Sequence, residues 1–227
     1  MLYHEEAVRA NIRNREGKRV FYLGKGDRLT SSARDWLNRE RIQILSAEEA
    51  RPERYRLLSG GWTEEKPEHM THLNGEVLVP KTHPRIRFRG KMDTLEAELI
   101  LCQLADARLA EPVGQILDLA RRILRCDVLE EPLETETLCG LTEQEQRKRS
   151  HFPQDYYGQP HFMPAAADGP VIARLNRARC AAREAELAAT EAFCDREGNP
   201  IRADILRALN RMSSMLYILM IQEKSRK

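Results

Sequence analysis

The second half of the chain is dominated by apolar residues that recur every three or four positions. The first two stripes comprise Met92, Leu95, Leu99 and Cys102, and then Val113, Ile116, Leu117, Ala120, Ile123 and Leu124. Two further stretches, 171–195 and 201–224, keep the same period and are separated by a Gly-Asn-Pro turn. Long amphipathic helices with short connections pack as antiparallel bundles. We therefore predict a mainly α protein built on an antiparallel helical bundle.

The first part of the chain has a different pattern. Residues 18–23 and 41–45 are rich in β-branched and aromatic side chains, which favour strands. Between them lies a Gly-Lys-Gly-Asp turn, and Thr30 or Ser31 is a suitable cap for a helix that ends near residue 40. This pattern predicts a small strand–turn–helix–strand extension.

A composition change marks the expected domain boundary. Residues 59–61 are Ser-Gly-Gly, and residues 64–68 are mostly acidic, which is typical of a linker. We therefore predict an N-terminal α/β extension over residues 1–66 and a helical-bundle domain over residues 67–227.

Charge and composition exclude several protein classes. The chain has 37 Lys and Arg against 35 Asp and Glu, so no global positive field attracts nucleic acid, and a bound polyanion needs a local basic cluster. The 5 cysteines are an odd number without a C-x-x-C pair, which favours reduced thiols. No apolar run approaches the ~20 residues of a membrane span. We expect a cytoplasmic protein with no membrane and no nucleic-acid partner.

Two arginines stand out in the third helical stretch. Arg179 and Arg183 are four residues apart, so their side chains leave one helix face about 6 Å apart. Glu186 follows three residues later, and residues 178–185 include four alanines and a cysteine. The arginines could form a solvated face. Small neighbours also allow tight packing, in which two guanidinium groups need a carboxylate or a phosphate.

A basic segment precedes the first long helix. Its cations are Lys81, Arg85, Arg87, Arg89 and Lys91. They alternate with apolar residues after Pro84, which predicts an extended strand or loop with its basic residues on one side. Gly90 then allows a turn, so we expect Asp93 at the start of the helix.

Two interpretations of Asp93 remain open. A carboxylate at a helix start is stabilised by the helix dipole without any further role. Alternatively, Asp93 pairs with Arg179 or Arg183, while Lys81 and the nearby arginines bind phosphates.

The last helical stretch carries polar groups among Leu, Ile and Met. Asn210, Ser213, Ser214 and Tyr217 lie within residues 203–221. Asparagine is unfavourable inside a helix unless its amide forms specific hydrogen bonds. The amide could cross-link the buried structure or contact a ligand, and the pattern alone does not separate these roles.

Familiar catalytic motifs are missing from the sequence. The Gly-Lys-Gly-Asp turn does not match a Walker loop, and there is no G-x-S-x-G, H-E-x-x-H or dinucleotide-binding pattern. His69, His72 and His83 lie within fifteen residues, but no cysteine or acidic residue accompanies them at metal-ligand spacing. We therefore expect no metal site formed by protein side chains.

Three blocks in this order resemble the corrinoid adenosyltransferases of ethanolamine utilisation, relatives of the PduO-type enzymes. They are THLNGEVLVPKTHPRIRFRGKMDTLEAEL (71–99), RARCAAREAE (177–186) and ADILRALNRMSSMLYILMI (203–221). Residues 27–44 resemble the leader of the ethanolamine branch.

The resemblance implies a five-helix bundle that associates as a homo-oligomer, usually a trimer, with ATP and corrinoid meeting at a subunit interface. It implies transfer of the 5′-deoxyadenosyl group of Mg²⁺-bound ATP to cob(I)alamin, which gives adenosylcobalamin and triphosphate. It also implies that ethanolamine ammonia-lyase uses the product and that the enzyme is associated with a microcompartment.

The resemblance assigns roles to residues of this chain. Lys81 matches the lysine of the family's phosphate loop, and Asp93 matches the aspartate that pairs across the interface with the arginine at Arg179. Arg183 matches the arginine that contacts the ATP phosphates, and Glu186 completes its R-x-x-E frame.

Other assignments concern the nucleotide and the corrinoid. Asn210 and Arg211 match the Asn-Arg of the family's N-R-L-S-D motif, and Arg85 joins the expected ATP-binding set. Phe162 is the candidate aromatic that displaces the lower ligand of the corrinoid, with His161 as a competitor.

Departures from the family pattern are few. Ser214 stands where many relatives have Asp, and Ala165-Ala166 replaces a glycine pair. Some ethanolamine-branch enzymes have a metal-binding cysteine cluster before the T-H-L segment, but this chain has SGGWTEEKPEHM there. We therefore predict a form that needs no metal apart from Mg²⁺ with ATP.

A different class of function competes with the enzyme. A non-catalytic bundle could bind ATP or a corrinoid as a sensor or carrier. An arginine-rich nucleic-acid binder is a poorer third option.

Overall fold

The computed structural model describes residues 1–15, 17–47, 54–135 and 137–226. The chain divides into two compact units, Met1–Pro80 and Lys81–Lys227. This structural division falls later than residue 66, and the functional division into 1–66 and 67–227 stays a prediction. Within the described residues, no helix has the length and apolar character needed to cross a membrane.

The first unit is a small α/β structure. Its elements are β1 (Leu2–Tyr3), α1 (Glu5–Ala10), β2 (Arg13–Arg15), β3 (Lys18–Leu23), β4 (Arg28–Leu29), α2 (Ser31–Arg39), β5 (Gln43–Ser46), β6 (Tyr55–Leu57), β7 (Trp62–Thr63), β8 (Met70–Asn74) and β9 (Val77–Pro80). Strands β2, β3 and β5 form one sheet, in which β3 and β5 are parallel, and β7, β6, β9 and β8 form another. The predicted strand–helix–strand pattern is confirmed, and Thr30 caps α2 by accepting from the backbone N–H of Ala33 (3.3 Å).

This unit has more structure than the sequence predicts. A small core forms between its helices and the first sheet from Val8, Phe21, Ala33, Trp36, Leu37 and Ile42. Residues 59–61, expected in a linker, form the turn between β6 and β7. The N–H of Leu57 donates to the carbonyl of Gly61 (3.1 Å), and Gly60 and Gly61 adopt positive φ angles of 99° and 85°.

The second unit is a helical bundle. Its elements are α3 (Pro84–Ala105), α4 (Ala110–Leu129), β10 (Thr137–Leu138), β11 (Leu141–Thr142), α5 (Glu143–His151), α6 (Pro153–Tyr157), α7 (Gly169–Phe193) and α8 (Ala203–Ser225). Helix α7 packs against α3 and α8, α3 packs against α4, and α5 packs against α8. The prediction of a mainly α bundle with an α/β N-terminal part is confirmed.

The first long helix starts earlier than predicted. His83 accepts the backbone N–H of Arg85 through Nδ1 (3.2 Å), and Pro84 occupies the first turn of α3. Buried Phe88 extends the apolar stripe back from Met92 by one turn. The prediction of a strand or loop is therefore wrong over residues 84–91, and Asp93 lies in the third turn of α3 instead of at its start.

Residues 141–169 are polar and contain five prolines and glycines, a composition that predicts mostly loop. The structure has helices α5 and α6 in this stretch. In α5, the Thr142 hydroxyl accepts the Glu145 N–H (3.3 Å) while the Glu145 carboxylate accepts the Thr142 N–H (2.9 Å). This capping box starts a helix that has little apolar periodicity. The sequence contains the residues of this cap, but the polar composition of the segment favoured a loop over a helix.

The middle of the buried face of α7 is made of alanine. Ala178, Ala181, Ala182 and Ala185 are all buried. Small side chains let helix axes approach near the lower end of the usual 8–10 Å range. The arginines between these alanines are thereby directed to the other faces of α7.

A buried carboxylate joins α3 to the end of α4. Asp127 is fully buried and accepts from Nε of Arg85 (2.8 Å) and Nε of Arg89 (2.6 Å). The backbone carbonyl of Asp127 also accepts from Arg85 (2.7 Å). The two cations compensate the cost of burying this charge.

We predict that Asp127→Ala destabilises the protein by about 3–5 kcal/mol, because it leaves two mostly buried guanidinium groups without their carboxylate. Urea unfolding followed by circular dichroism measures the change. Asp118→Ala, which removes an exposed carboxylate from the same helix, is the matched control and should change stability by less than about 0.5 kcal/mol. Equal stability of the two variants would contradict the prediction.

Candidate functional site

A cleft with a cavity of about 750 Å³ opens in the bundle. It lies between α7, α8, the end of α5 and the segment that precedes α7. Its lining comprises Ser150, His151, His161, Phe162, Met163, Pro164, Asn176, Arg179, Cys180, Arg183, Asn210, Arg211, Ser213, Ser214, Tyr217 and Met220. This volume is within the range of small-molecule binding sites.

One wall of the cleft is cationic. Arg179 and Arg183 lie one turn apart on α7; Arg183 is exposed and Arg179 is half-buried. The guanidinium carbon of Arg179 lies 5.3 Å from the centre of the Tyr217 ring. Across the described ranges, no carboxylate forms a salt bridge with either arginine, whereas Arg177 on another face pairs with Glu98 (3.1 Å). The wall therefore presents two positive charges that a bound anion can neutralise.

A polar pair joins α7 and α8 beside this wall. Asn210 donates through Nδ2 to the Glu186 carboxylate (2.9 Å), and its Oδ1 accepts from Arg211. The hydroxyls of Ser213 and Ser214 donate to the Asn210 carbonyl (3.0 and 3.1 Å). Of the two roles that the sequence allowed for Asn210, the structure therefore shows the cross-link between α7 and α8.

Arg211 occupies an unfavourable electrostatic environment. Burial lowers the pKa of its guanidinium, and the positive charge of Arg147 lowers it further, against the opposing effect of Glu143. A negatively charged ligand in the cleft would relieve this repulsion.

A second part of the lining is aromatic and apolar. Phe162 stacks on Tyr217 with ring centres 6.5 Å apart and planes inclined by 22°. The Lys224 ammonium lies 5.6 Å from the Phe162 ring. Met163 and Pro164 continue this wall. The cleft thus combines a cationic surface with an aromatic and apolar one.

The structure gathers part of the predicted site. Five predicted residues line the cleft: Phe162, Arg179, Arg183, Asn210 and Arg211. Glu186 lies behind them and holds Asn210.

The other three predicted residues do not line this cavity. Lys81 is exposed in the turn before α3, and Asp93 is exposed on α3. Arg85 forms the buried pair with Asp127. Among the described residues, no hydrogen bond or salt bridge links Asp93 to an arginine.

Several lining residues were not expected as functional. Asn176 lies three residues before Arg179, so helical spacing could have identified it. Cys180 adjoins Arg179 and also faces the cavity. His151 ends α5, where the sequence was expected to form a loop, so no pattern indicated it.

The residues that line the cleft bear on whether it could bind a divalent cation. Mg²⁺ prefers oxygen ligands, usually including carboxylates. No carboxylate lines the cavity among the described residues, and Glu186 is engaged by Asn210. The described side chains that line the cleft therefore do not supply the usual ligands of Mg²⁺.

Known proteins resemble this chain over most of its length. A family model described as cobalamin adenosyltransferase matches residues 62–223. The corrinoid adenosyltransferase EutT of Salmonella typhimurium is 33% identical, and the match covers 96% of this chain and 90% of that protein. The protein of the same name from Escherichia coli K12 is 32% identical with the same coverage.

These matches extend over both the α/β unit and the bundle, and include all the residues that line the cleft. They agree with the three blocks from which the resemblance was inferred. That resemblance is confirmed, and the chain belongs to the cobalamin adenosyltransferase family.

Proposed function

We propose that this chain transfers the 5′-deoxyadenosyl group of ATP to the cobalt of cob(I)alamin, releasing triphosphate. The observation that carries the proposal is a pair of cleft arginines, Arg179 and Arg183, that form no salt bridge within the described residues and share the cleft with an aromatic wall. A polyphosphate suits the cationic surface, and the flat, largely apolar macrocycle of a corrinoid suits the other.

The reaction needs positioning and charge stabilisation more than acid–base catalysis. The cobalt(I) electron pair forms the bond to C5′, the C5′–O bond breaks, and its electrons leave with the triphosphate. Cobalt is formally oxidised from Co(I) to Co(III). Arg183 would stabilise the growing charge on the leaving group and hold C5′ in line with the cobalt.

The aromatic wall would act on the corrinoid. Phe162 is half-buried and held against Tyr217, so it can present an apolar surface to the lower face of the macrocycle. An apolar lower face disfavours a lower ligand and thereby makes the cobalt easier to reduce.

We further propose that the site is completed by a neighbouring subunit in a homotrimer. Asp93 is exposed on α3 and would pair with Arg179 of the next subunit, bringing Lys81 towards the phosphates. Exposed apolar residues continue the face that carries Asp93, since Ile100 and Leu104 are 41% and 78% exposed. Such a surface is suited to burial between subunits.

Mg²⁺ would enter with ATP, whose phosphate oxygens supply the ligands that the cleft side chains lack. Arg85 is assigned a structural role at Asp127 and would affect ATP only through α3. We propose ethanolamine ammonia-lyase as the user of the product, and the cytoplasm or an ethanolamine microcompartment as the location.

We predict that Arg183→Ala lowers kcat/KM by about 100-fold or more, because a charge that stabilises the transition state is lost. The assay follows the absorbance change of chemically reduced corrinoid on addition of Mg²⁺ and ATP. Arg174→Ala, which removes an exposed arginine of the same helix outside the cleft, should retain activity.

Two outcomes would contradict the proposal. A wild-type protein that binds ATP or corrinoid without forming adenosylcobalamin would be a sensor or carrier. Full activity of Arg183→Ala would remove this arginine from the reaction.

We predict that two inactive variants complement each other if the site spans two subunits. Asp93→Ala and Arg183→Ala should each be nearly inactive. Co-expressed in equal amounts, they should recover about a quarter of wild-type activity, since one site in each mixed trimer is intact. Activity no higher than the sum of the separate variants would contradict a shared site, and sedimentation provides the independent oligomeric state.

A further inference from the structure

Both ring nitrogens of His161 are engaged. Nε2 lies 3.1 Å from the backbone carbonyl of His151, and Nδ1 lies 2.9 Å from the Tyr217 hydroxyl. A carbonyl can only accept, so Nε2–H donates to it. In the neutral imidazole Nδ1 is then the acceptor, and the Tyr217 O–H donates to it.

The Tyr217 ring contacts both surfaces of the cleft. It stacks on His161 with centres 5.8 Å apart and planes inclined by 10°, and on Phe162 at 6.5 Å. The Arg179 guanidinium lies over the same ring at 5.3 Å. One residue of α8 therefore touches the aromatic segment and the cationic wall together.

The segment that carries Phe162 has few other attachments. Residues 159–165 have no regular secondary structure. The Ala165 N–H donates to the Asp168 carboxylate (2.7 Å) at one end. Met163 is 91% exposed and Pro164 is also exposed, so Phe162, which packs against the bundle core, carries the core packing of this segment.

We propose that His161 and Tyr217 form a latch that positions Phe162 against the corrinoid, while the Tyr217 ring holds Arg179 in the cationic wall beside the phosphates. Both are positioning residues, acting through Phe162 and Arg179. The inference rests on the proposed adenosyl transfer for its ligands, but the latch itself is defined by the hydrogen bond and the stacked rings.

The decisive variant is Tyr217→Phe, which removes the hydroxyl and keeps the ring. Loss of one hydrogen bond should raise the KM for corrinoid about threefold to tenfold, with the KM for ATP unchanged because the ring still faces Arg179. His161→Ala should reproduce this selective change. Tyr217→Leu, which also removes the ring, should raise the KM for ATP as well.

The matched control is Tyr156→Phe. Tyr156 is 47% exposed, lies outside the cleft and contacts Arg149 and Tyr157. This control should match the wild type in both KM values and in thermal stability.

A second measurement observes the latch without catalysis. Imidazole ¹H–¹⁵N spectra, at a pH where the ring is neutral, should show His161 as the tautomer protonated at Nε2. Its Nδ1 signal should shift in Tyr217→Phe. Chymotrypsin cleavage after Phe162, measured by mass spectrometry, should be several-fold faster in Tyr217→Phe and His161→Ala than in Tyr156→Phe.

These measurements separate the two proposals. If the wild-type protein forms no adenosylcobalamin, the proposed function is overturned. The imidazole signal of His161 and the rate of cleavage after Phe162 then test the latch independently of catalysis. In an active enzyme, an unchanged corrinoid KM in Tyr217→Phe overturns the positioning role. Equal increases in both KM values with a lowered melting temperature would show a merely structural role and also overturn it.

Discussion

The close packing of α7 against its neighbours is the constraint on which the site depends. The alanine face at Ala178, Ala181, Ala182 and Ala185 is buried between helices, so rotation of α7 about its axis would place larger or charged side chains in the core. With this face fixed, the 3.6-residue period directs Arg179 and Arg183 into the cleft. Asn210 on α8 then bonds to Glu186 and joins the two helices beside the cationic wall.

The cations of the bundle fall into two groups with different physical roles. Arg85 and Arg89 are paired with buried Asp127 and stabilise the junction of α3 and α4. In contrast, the charges of Arg179 and Arg183 face a cavity. Two neighbouring cations in a cavity repel each other, and a bound polyphosphate would offset this repulsion. The absence or presence of a buried carboxylate partner thus distinguishes candidate binding arginines from structural ones.

Much of the fold could be predicted from local patterns. The apolar stripe through Met92, Leu95 and Leu99 indicated α3, and the β-branched segment at 18–23 indicated a strand. Helix α5 and the early start of α3 were missed. Their starting signals are the Thr142 capping box and Pro84, and in both cases polar or alternating composition suggested loop or strand.

The site could be predicted only in part, for a physical reason. Resemblance to the family pointed to the candidate residues. A sequence pattern does not show, however, whether two such residues meet within one chain or between two subunits. Phe162, Arg179 and Asn210 meet in one cleft, whereas Asp93 lies on an exposed helix face. The latch at Tyr217 had no sequence signal beyond a polar group at an apolar helix position.

The sequence by itself determined the bundle, the small α/β extension, the family and the segments that carry its chemistry. These depend on periodicity, caps and ordered motifs, which are set by residues close along the chain. Only the tertiary structure decided which charges are neutralised and which face the cleft. Arg85 and Asp127 are 42 positions apart and His161 and Tyr217 are 56 apart, and contacts at such separations arise from helix packing, which no local pattern specifies.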